Sequence, residues 1–295
     1  MTQHDNGTPQ TPAANLSASP ARFGPYPIGE GAPLVLLCGP DVVEGEEITL
    51  RAAFAVKAIA ERHGVSLIFK CSFDKANRSS IRSYRGPGIE RGLEVLARVK
   101  AETGLPVVTD VHEVWQVEKA ARVADVLQVP AFLCRQTDLL LACARSGRAV
   151  NIKKGQFVAP ADMRHAVAKV REGGGREILL TERGSSFGYQ NLVVDMRSLP
   201  IMRSIGVPVC FDATHSVQLP GAADGSTGGD RRFIRPLARA AAATGIDAMF
   251  LEVHENPERA LCDGPNSLDF EGLDTLLSEV CAIRSALSLL TRQGG

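Results

Sequence analysis

Val65-Ser66-Leu67-Ile68-Phe69 runs directly into Lys70-Cys71-Ser72-Phe73-Asp74-Lys75-Ala76-Asn77-Arg78-Ser79-Ser80, and Ser83-Tyr84-Arg85-Gly86-Pro87-Gly88 completes the stretch. The apolar run reads as a short buried strand, so the polar groups begin where a strand ends. Ammonium, guanidinium, amide and hydroxyl groups then crowd one loop. Donors with few acceptors ask for an anion, and the fixed forks of Arg78 and Arg85 suit phosphate or carboxylate oxygens. Taken alone, the segment also admits the plainer reading of a solvated basic loop. What favours an anion site is that charge recurs just after one apolar run after another along the chain.

Short apolar runs at 34–38, 65–69, 106–109, 123–129, 149–153, 177–181, 207–211 and 248–252 read as strands. Helical patterns lie between them at about 46–63, 88–102, 113–121, 137–146, 160–172, 196–205 and 232–244, with a last one at 269–289. Alternating βα units make a parallel sheet, and eight of them predict an α/β fold of the (β/α)8, or TIM, barrel type. A doubly wound open sheet is the runner-up. Its GxGxxG fingerprint is missing, since Gly39-Pro40 leads instead into Asp41-Val42-Val43-Glu44, and no nucleotide cofactor is expected. Gly173-Gly174-Gly175 precedes a strand, the wrong side for cradling phosphate, and reads as a helix-ending loop.

The 295 residues suffice for one such barrel with a tail. Residues 1–31, rich in Thr, Pro, Ala, Asn, Ser and Gly, are expected to be a flexible extension, with the catalytic barrel over 32–295. Acidic and basic residues balance at 33 each, so no global field favours nucleic acid or an anionic membrane, and any anion site must be local. No apolar stretch is long enough to span a bilayer, and the N-terminus does not read as a signal peptide. Seven unpaired-looking cysteines, with no CxxC, argue against a disulfide framework and for a reducing cytoplasm.

In a barrel the chemistry sits at the C-terminal ends of the strands. There the sequence places Asp41 and Glu44, then Lys70, Lys75, Asn77, Arg78 and Ser79, then Asp110 to Glu113, Gln128, Lys153, Arg183, Asp212 to Ser216, and Glu252 with Asp263 beyond. Two subsites separate by charge. Lys70, Lys75, Lys153, Arg183 and the Arg78-Ser79 pair should gather phosphate and carboxylate groups, enough for two phosphorylated ligands. Asp41, His215, Glu252 and Asp263 form a carboxylate-rich set with one imidazole, suited to a hard or intermediate divalent ion such as Mn²⁺, Fe²⁺, Co²⁺ or Mg²⁺. A hydrogen-bonded His215 and a turn-forming Asp263 before Gly264 are the plainer readings of those two residues.

From about Pro33 to the last helix the chain resembles the 3-deoxy-D-manno-octulosonate 8-phosphate synthases, of the barrel family shared with the 3-deoxy-arabino-heptulosonate 7-phosphate synthases. The resemblance is carried by the motifs at 70–80 and 83–88, Thr-Asp-Val-His-Glu (109–113), Gln-Val-Pro-Ala-Phe-Leu-Cys-Arg-Gln-Thr-Asp (128–138), Asn-Ile-Lys-Lys-Gly-Gln (151–156), Thr-Glu-Arg-Gly (181–184), Phe-Asp-Ala-Thr-His-Ser (211–216) and Cys-Asp-Gly-Pro (262–265). Lys-Ala-Asn-Arg-Ser-Ser points to the octulosonate branch. The resemblance implies condensation of phosphoenolpyruvate with arabinose 5-phosphate, for lipopolysaccharide biosynthesis, by a cytoplasmic homotetramer. It also implies a phosphoenolpyruvate subsite of Lys70, Lys75, Gln128, Lys153 and Arg183, a pentose phosphate subsite of Asn77, Arg78 and Ser79, and metal ligands Asp41, His215, Glu252 and Asp263.

One position departs from the pattern. After Gly-Pro, metal-dependent members of the family resembled carry cysteine, and the metal-independent ones have asparagine at the equivalent place; here it is Asp41. A weakened site preferring Mn²⁺, Co²⁺ or Mg²⁺ is expected. Lys70, Lys75, His215 and Asp263 are the candidate catalytic residues, the last two for proton transfer as well as ligation. The glycine-rich run 216–231 is expected to close over bound ligands. Two alternatives stay open: condensation with erythrose 4-phosphate, as in the heptulosonate enzymes, and an impaired barrel that only binds phosphorylated ligands.

Overall fold

The computed structural model describes residues 20–223 and 226–293, with side chains at 222, 223, 226, 227 and 291–293 not described. Strands β1 (Val35–Gly39), β2 (Ser66–Lys70), β3 (Val107–Asp110), β4 (Val126–Val129), β5 (Ala149–Lys153), β6 (Ile178–Glu182), β7 (Val209–Asp212) and β8 (Ala248–Glu252) form a closed parallel barrel. Helices α1 (Glu46–Arg62), α2 (Ile89–Thr103), α3 (Val114–Ala121), α4 (Thr137–Arg145), α5 (Met163–Glu172), α6 (Ser198–Arg203), α7 (Ile234–Thr244) and α8 (Phe270–Gln293) follow the strands in turn. The expected (β/α)8 barrel is the fold. Closure comes from β6 pairing with β7 and from β8 pairing with β1, so the last strand lies beside the first. No helix among the described residues is long and apolar enough to cross a membrane.

The strands read as continuous apolar runs because both faces are covered. Leu36 and Cys38, Leu67 and Phe69, Val150 and Ile152, and Met249 and Leu251 face outward into a shell shared with the helices. Val35, Leu37, Ile68, Val108, Val126, Ala149, Leu179, Cys210, Ala248 and Phe250 fill the inside. Side chains alternate with period two, so the next inward positions toward the C-terminal end are Lys70, Asp110, Gln128, Asn151, Lys153, Thr181, Asp212 and Glu252. All of these are buried, and together they turn the top of the barrel interior polar.

The N-terminal boundary is corrected. Ala21–Phe23 and Tyr26–Ile28 pair as an antiparallel hairpin, although this segment was expected to belong to a loose extension. Phe23 and Ile28 are fully buried, packing with Val35, Val126 and Ala149 across the floor of the barrel. Two three-residue strands carry no periodicity that a sequence window can register. Burial against the open barrel end orders them. Residues 1–19 of the expected extension lie outside the described residues. Phe23→Ala is expected to destabilise the protein by about 3–5 kcal/mol, the usual range for emptying a buried aromatic site. Chemical denaturation measures this, and a loss under about 1 kcal/mol would show that the hairpin lies outside the cooperative core.

The expected closing loop at 216–231 contains secondary structure. A short 3-10 turn at His215–Val217 leads into an antiparallel pair, Gln218–Ala223 with Ser226–Gly229. Its tip, residues 224–225, lies outside the described residues.

Candidate active site

Backbone contacts first bring the loops after β1 and β2 together. Val43 N donates to Ser72 O at 2.9 Å and Ser72 N to Asp41 O at 3.3 Å. A side chain at Gly39 would collide with the Lys70 carbonyl, so the strand end must be glycine. With β8 on the other side of β1, Asp41, Lys70 and Glu252 meet. Lys70 Nζ donates to Glu252 Oε1 at 3.0 Å and to Asp41 O at 3.1 Å, and lies 3.5 Å from Asp41 Oδ1. The Lys75 ammonium makes a close ion pair with Asp41 and sits 3.5 Å from Asp110 Oδ2.

The two subsites read from charge therefore interpenetrate. Lys70 and Lys75 are embedded in the acidic set, because the ends of β8, β1 and β2 are neighbours. Lys70 is fully buried, and it is not among the residues that line the central cavity. Lys75, Asn77, Arg78, Ser79, Gln128, Lys153, Arg183, His215 and Asp263 all do line it. Arg85, read as an anion fork, is instead held by both oxygens of Asp74, at 2.8 and 2.5 Å.

On the opposite wall Lys153 Nζ donates to Asp212 Oδ2 at 2.6 Å and stands 3.9 Å above the Phe250 ring. His215 Nδ1 lies 2.7 Å from the same oxygen of Asp212. The other oxygen accepts from Thr214 Oγ1 at 3.1 Å and from the His215 backbone at 2.9 Å. Burial would raise the Asp212 carboxyl, but His215, Lys153 and these hydrogen bonds hold it well below the usual carboxylate range. Burial keeps the His215 imidazole below its ordinary value, against the pull of Asp212. With Nδ1–H donating to Asp212, Nε2 presents its lone pair 3.5 Å from Glu252 Oε1 and 3.6 Å from Asp263 Oδ2.

A directional chain of hydrogen bonds runs along the barrel wall from β6 through β5 and β4 to β3. Thr181 Oγ1 donates to Asn151 Oδ1 at 2.6 Å, Asn151 Nδ2 to Gln128 Oε1 at 2.9 Å, and Gln128 Nε2 to Asp110 Oδ1. Ser72 Oγ donates to the other oxygen of Asp110 at 2.6 Å. The chain ends on a carboxylate, so every amide orientation in it is decided. Burial opposes ionisation of Asp110, yet Lys75 and Lys70 keep it well below the ordinary range.

Asp110, His112 and Asp212 were placed on the rim from the sequence but given no role there, and Gln218 was not singled out. Asp110 and Asp212 share the inward parity of Lys70 and Lys153, a signal that was available. Lys154, next to Lys153, points the other way. It is fully buried and braces the loops after β5 and β6, donating to Ser185 Oγ at 3.0 Å and lying 3.4 Å from Glu182 Oε1.

Asp41, His215, Glu252 and Asp263 each offer a donor atom, all within 4.8 Å of one another. Asp41 Oδ2 and Glu252 Oε2 are buried and accept no hydrogen bond, which is the arrangement a divalent cation would satisfy. Asp263 adopts a left-handed backbone, φ 50°, which places its carboxylate against His215 and Arg78. Asp41 and Glu252 act as a coupled pair. Burial raises both; Lys75 and Lys70 hold Asp41 well below the carboxylate range, and the Asp41 charge helps to keep Glu252 well above it.

The chain matches the sequence model described as the DAHP synthetase I family over residues 13–288. Among curated relatives, a 2-dehydro-3-deoxyphosphooctonate aldolase of Synechococcus is 57% identical over 263 residues, spanning 89% of this chain and 93% of the relative. Proteins of the same name from Desulfatibacillum aliphaticivorans and Geobacter metallireducens are each 58% identical over 261 residues, spanning 88% of this chain and 96% of the relative.

Proposed function

The chain belongs to the DAHP synthetase I family, and on that premise we propose that it condenses phosphoenolpyruvate with arabinose 5-phosphate and water. The products are 3-deoxy-D-manno-octulosonate 8-phosphate and inorganic phosphate, a step of lipopolysaccharide sugar biosynthesis. The relatives carry the octulosonate rather than the heptulosonate name. The observation that carries the reading is the convergence of Lys75, Arg78, Lys153 and Arg183 on one cavity with His215 and Asp263.

C3 of the enol phosphate must reach the sugar aldehyde, water must add at C2, and phosphate must leave. Both substrates are anionic, so their approach is unfavourable until cations offset the repulsion. Lys153 and Arg183 would take the phosphate of the enol phosphate, and Lys75 with Gln128 its carboxylate. Arg78, Asn77 and Ser79 would take the pentose phosphate. Fixed amides and ammoniums then hold the reacting carbons at one distance, which converts an encounter into an intramolecular step. Lys70, below the cavity, would act by holding Glu252 and Asp41. His215 Nε2 and Asp263 would serve proton transfer at the water that adds to C2.

Asp41, His215, Glu252 and Asp263 would hold a divalent cation. When bound it would polarise the aldehyde or the water. Lys75 already neutralises part of Asp41, so a cation held there would share that carboxylate and would be bound more weakly than at a free site. Exhaustive chelation is expected to lower activity at least about tenfold, with recovery on Mn²⁺, Co²⁺ or Mg²⁺, because the charge that would polarise the aldehyde or the water is removed. Full activity in protein verified to be metal-free would sink this part. A homotetramer and a reducing cytoplasm complete the proposal. They are supported by exposed Phe132, Phe157, Phe187 and Tyr189 on the loops after β4 to β6, and by free thiols at all seven cysteines.

The test is phosphate release from phosphoenolpyruvate with arabinose 5-phosphate, erythrose 4-phosphate or no acceptor. Release is expected to require the pentose phosphate. Preference for the tetrose would move the chain to the heptulosonate branch, and release with neither would leave a barrel that only binds.

A further inference from the structure

We propose that Gln218 is a positioning residue that ties the anion clamp at Arg183 to the carboxylate of Asp263, so that the two substrate subsites share one frame of hydrogen bonds and an ion pair. Gln218 opens the hairpin strand Gln218–Ala223 and lines the cavity. Its side-chain oxygen accepts from Arg183 Nη2, and its Nε2 donates to Asp263 Oδ2 at 2.5 Å. The amide has no freedom to flip. A guanidinium can only donate and a carboxylate only accept, so reversal would set nitrogen on nitrogen and oxygen on oxygen.

Each end of the amide has a consequence. With Nη2 engaged, Arg183 keeps Nη1 buried and without a protein partner, the arm left for a ligand anion. At the other end, Asp263 Oδ2 accepts from Gln218 and stands 3.6 Å from His215 Nε2, while Oδ1 is ion-paired with Arg78 Nη1 at 3.5 Å, a nitrogen that donates its hydrogen bond to Cys262 Sγ at 2.7 Å. A continuous path thus runs from Arg183 through Gln218 and Asp263 to Arg78. The inference rests on reading Arg183 as the enol phosphate clamp and Arg78 as the pentose phosphate clamp. A neutral side chain with one acceptor and one donor is what this frame needs. Glutamate retains only the acceptor, and leucine neither.

Two substitutions separate the ends. Gln218→Leu frees both Arg183 and Asp263, whereas Gln218→Glu keeps the bond to Arg183 and sets a charge against Asp263. Calorimetry with phosphoenolpyruvate alone reads the first end, independently of turnover. Gln218→Leu is expected to weaken binding about tenfold or more, the range for losing a hydrogen bond to a charged group, while Gln218→Glu stays within about threefold of wild type. Steady-state kinetics reads the second end, and both variants are expected to lose at least about tenfold in kcat, with KM for phosphoenolpyruvate raised only in Gln218→Leu. Parallel losses of binding in the two variants, or kcat within about threefold of wild type in either, would overturn the proposal. If the wild-type protein binds phosphoenolpyruvate without turning it over, the functional reading fails while the calorimetric comparison still decides the role of Gln218.

Discussion

Lys153→Met is expected to lower kcat/KM for phosphoenolpyruvate by about a thousandfold, because it deletes a preorganised cation aimed at developing charge. The ammonium is fixed on three sides, by Asp212 at 2.6 Å, by His215 at 3.3 Å and by the face of Phe250 at 3.9 Å. No reorganisation is needed when an anion arrives, and this fixity is what separates it from a mobile surface lysine. Methionine preserves the stem and its packing. The stability loss should stay within about 1–3 kcal/mol, since Asp212 keeps its donors from Thr214 and from the backbone N and Nδ1 of His215. Steady-state kinetics paired with denaturant melts measures both. A decrease under about tenfold would remove Lys153 from the anion clamp.

Lys70→Met should affect the fold as strongly as Lys153→Met affects turnover. Lys70 and Glu252 are both fully buried and 3.0 Å apart. Removing one partner of such a pair typically costs about 3–5 kcal/mol. Glu252 can escape part of that by taking up a proton, since burial and Asp41 already hold it well above the ordinary glutamate range. The sign follows from linkage. A carboxyl whose folded value is raised binds more protons folded than unfolded, so the variant loses stability as pH rises from the unfolded glutamate value, about 4.3, toward the raised one. Adding Glu252→Gln should recover most of the loss and flatten this pH dependence, because no charge is left unpaired. Denaturant midpoints for wild type, single and double variants between acid and neutral pH provide the test. A single variant as stable as wild type at neutral pH would refute the pairing.

These pairings mark where sequence reading stopped. β5 at Ala149–Lys153 and β8 at Ala248–Glu252 match the apolar runs residue for residue. The run at 123–129 was trimmed to Val126–Val129, because Val123 and Ala124 close the turn after α3 through Ala120 O. The inclusion of Lys75, Arg78, Lys153, Arg183 and His215 in one cavity was also legible, since residues after parallel strands must share the C-terminal rim. Lys70 at the top of β2 was legible as a rim residue too, though not its burial against Glu252.

The identity of the barrel strands and helices, the order of the βα units and the rim that holds the chemistry are local consequences of where apolar residues repeat, and the amino-acid sequence determined them unaided. Which charges touch is a different kind of fact. Glu252 meets Asp41 only because closure sets β8 against β1, and Gln218 reaches Arg183 and Asp263 only because the hairpin after β7 folds across the mouth. The residues at 21–28 became a floor only because an open barrel end was there to bury them. Each of these depends on the distance between groups far apart along the chain, and that distance exists only once the barrel has closed.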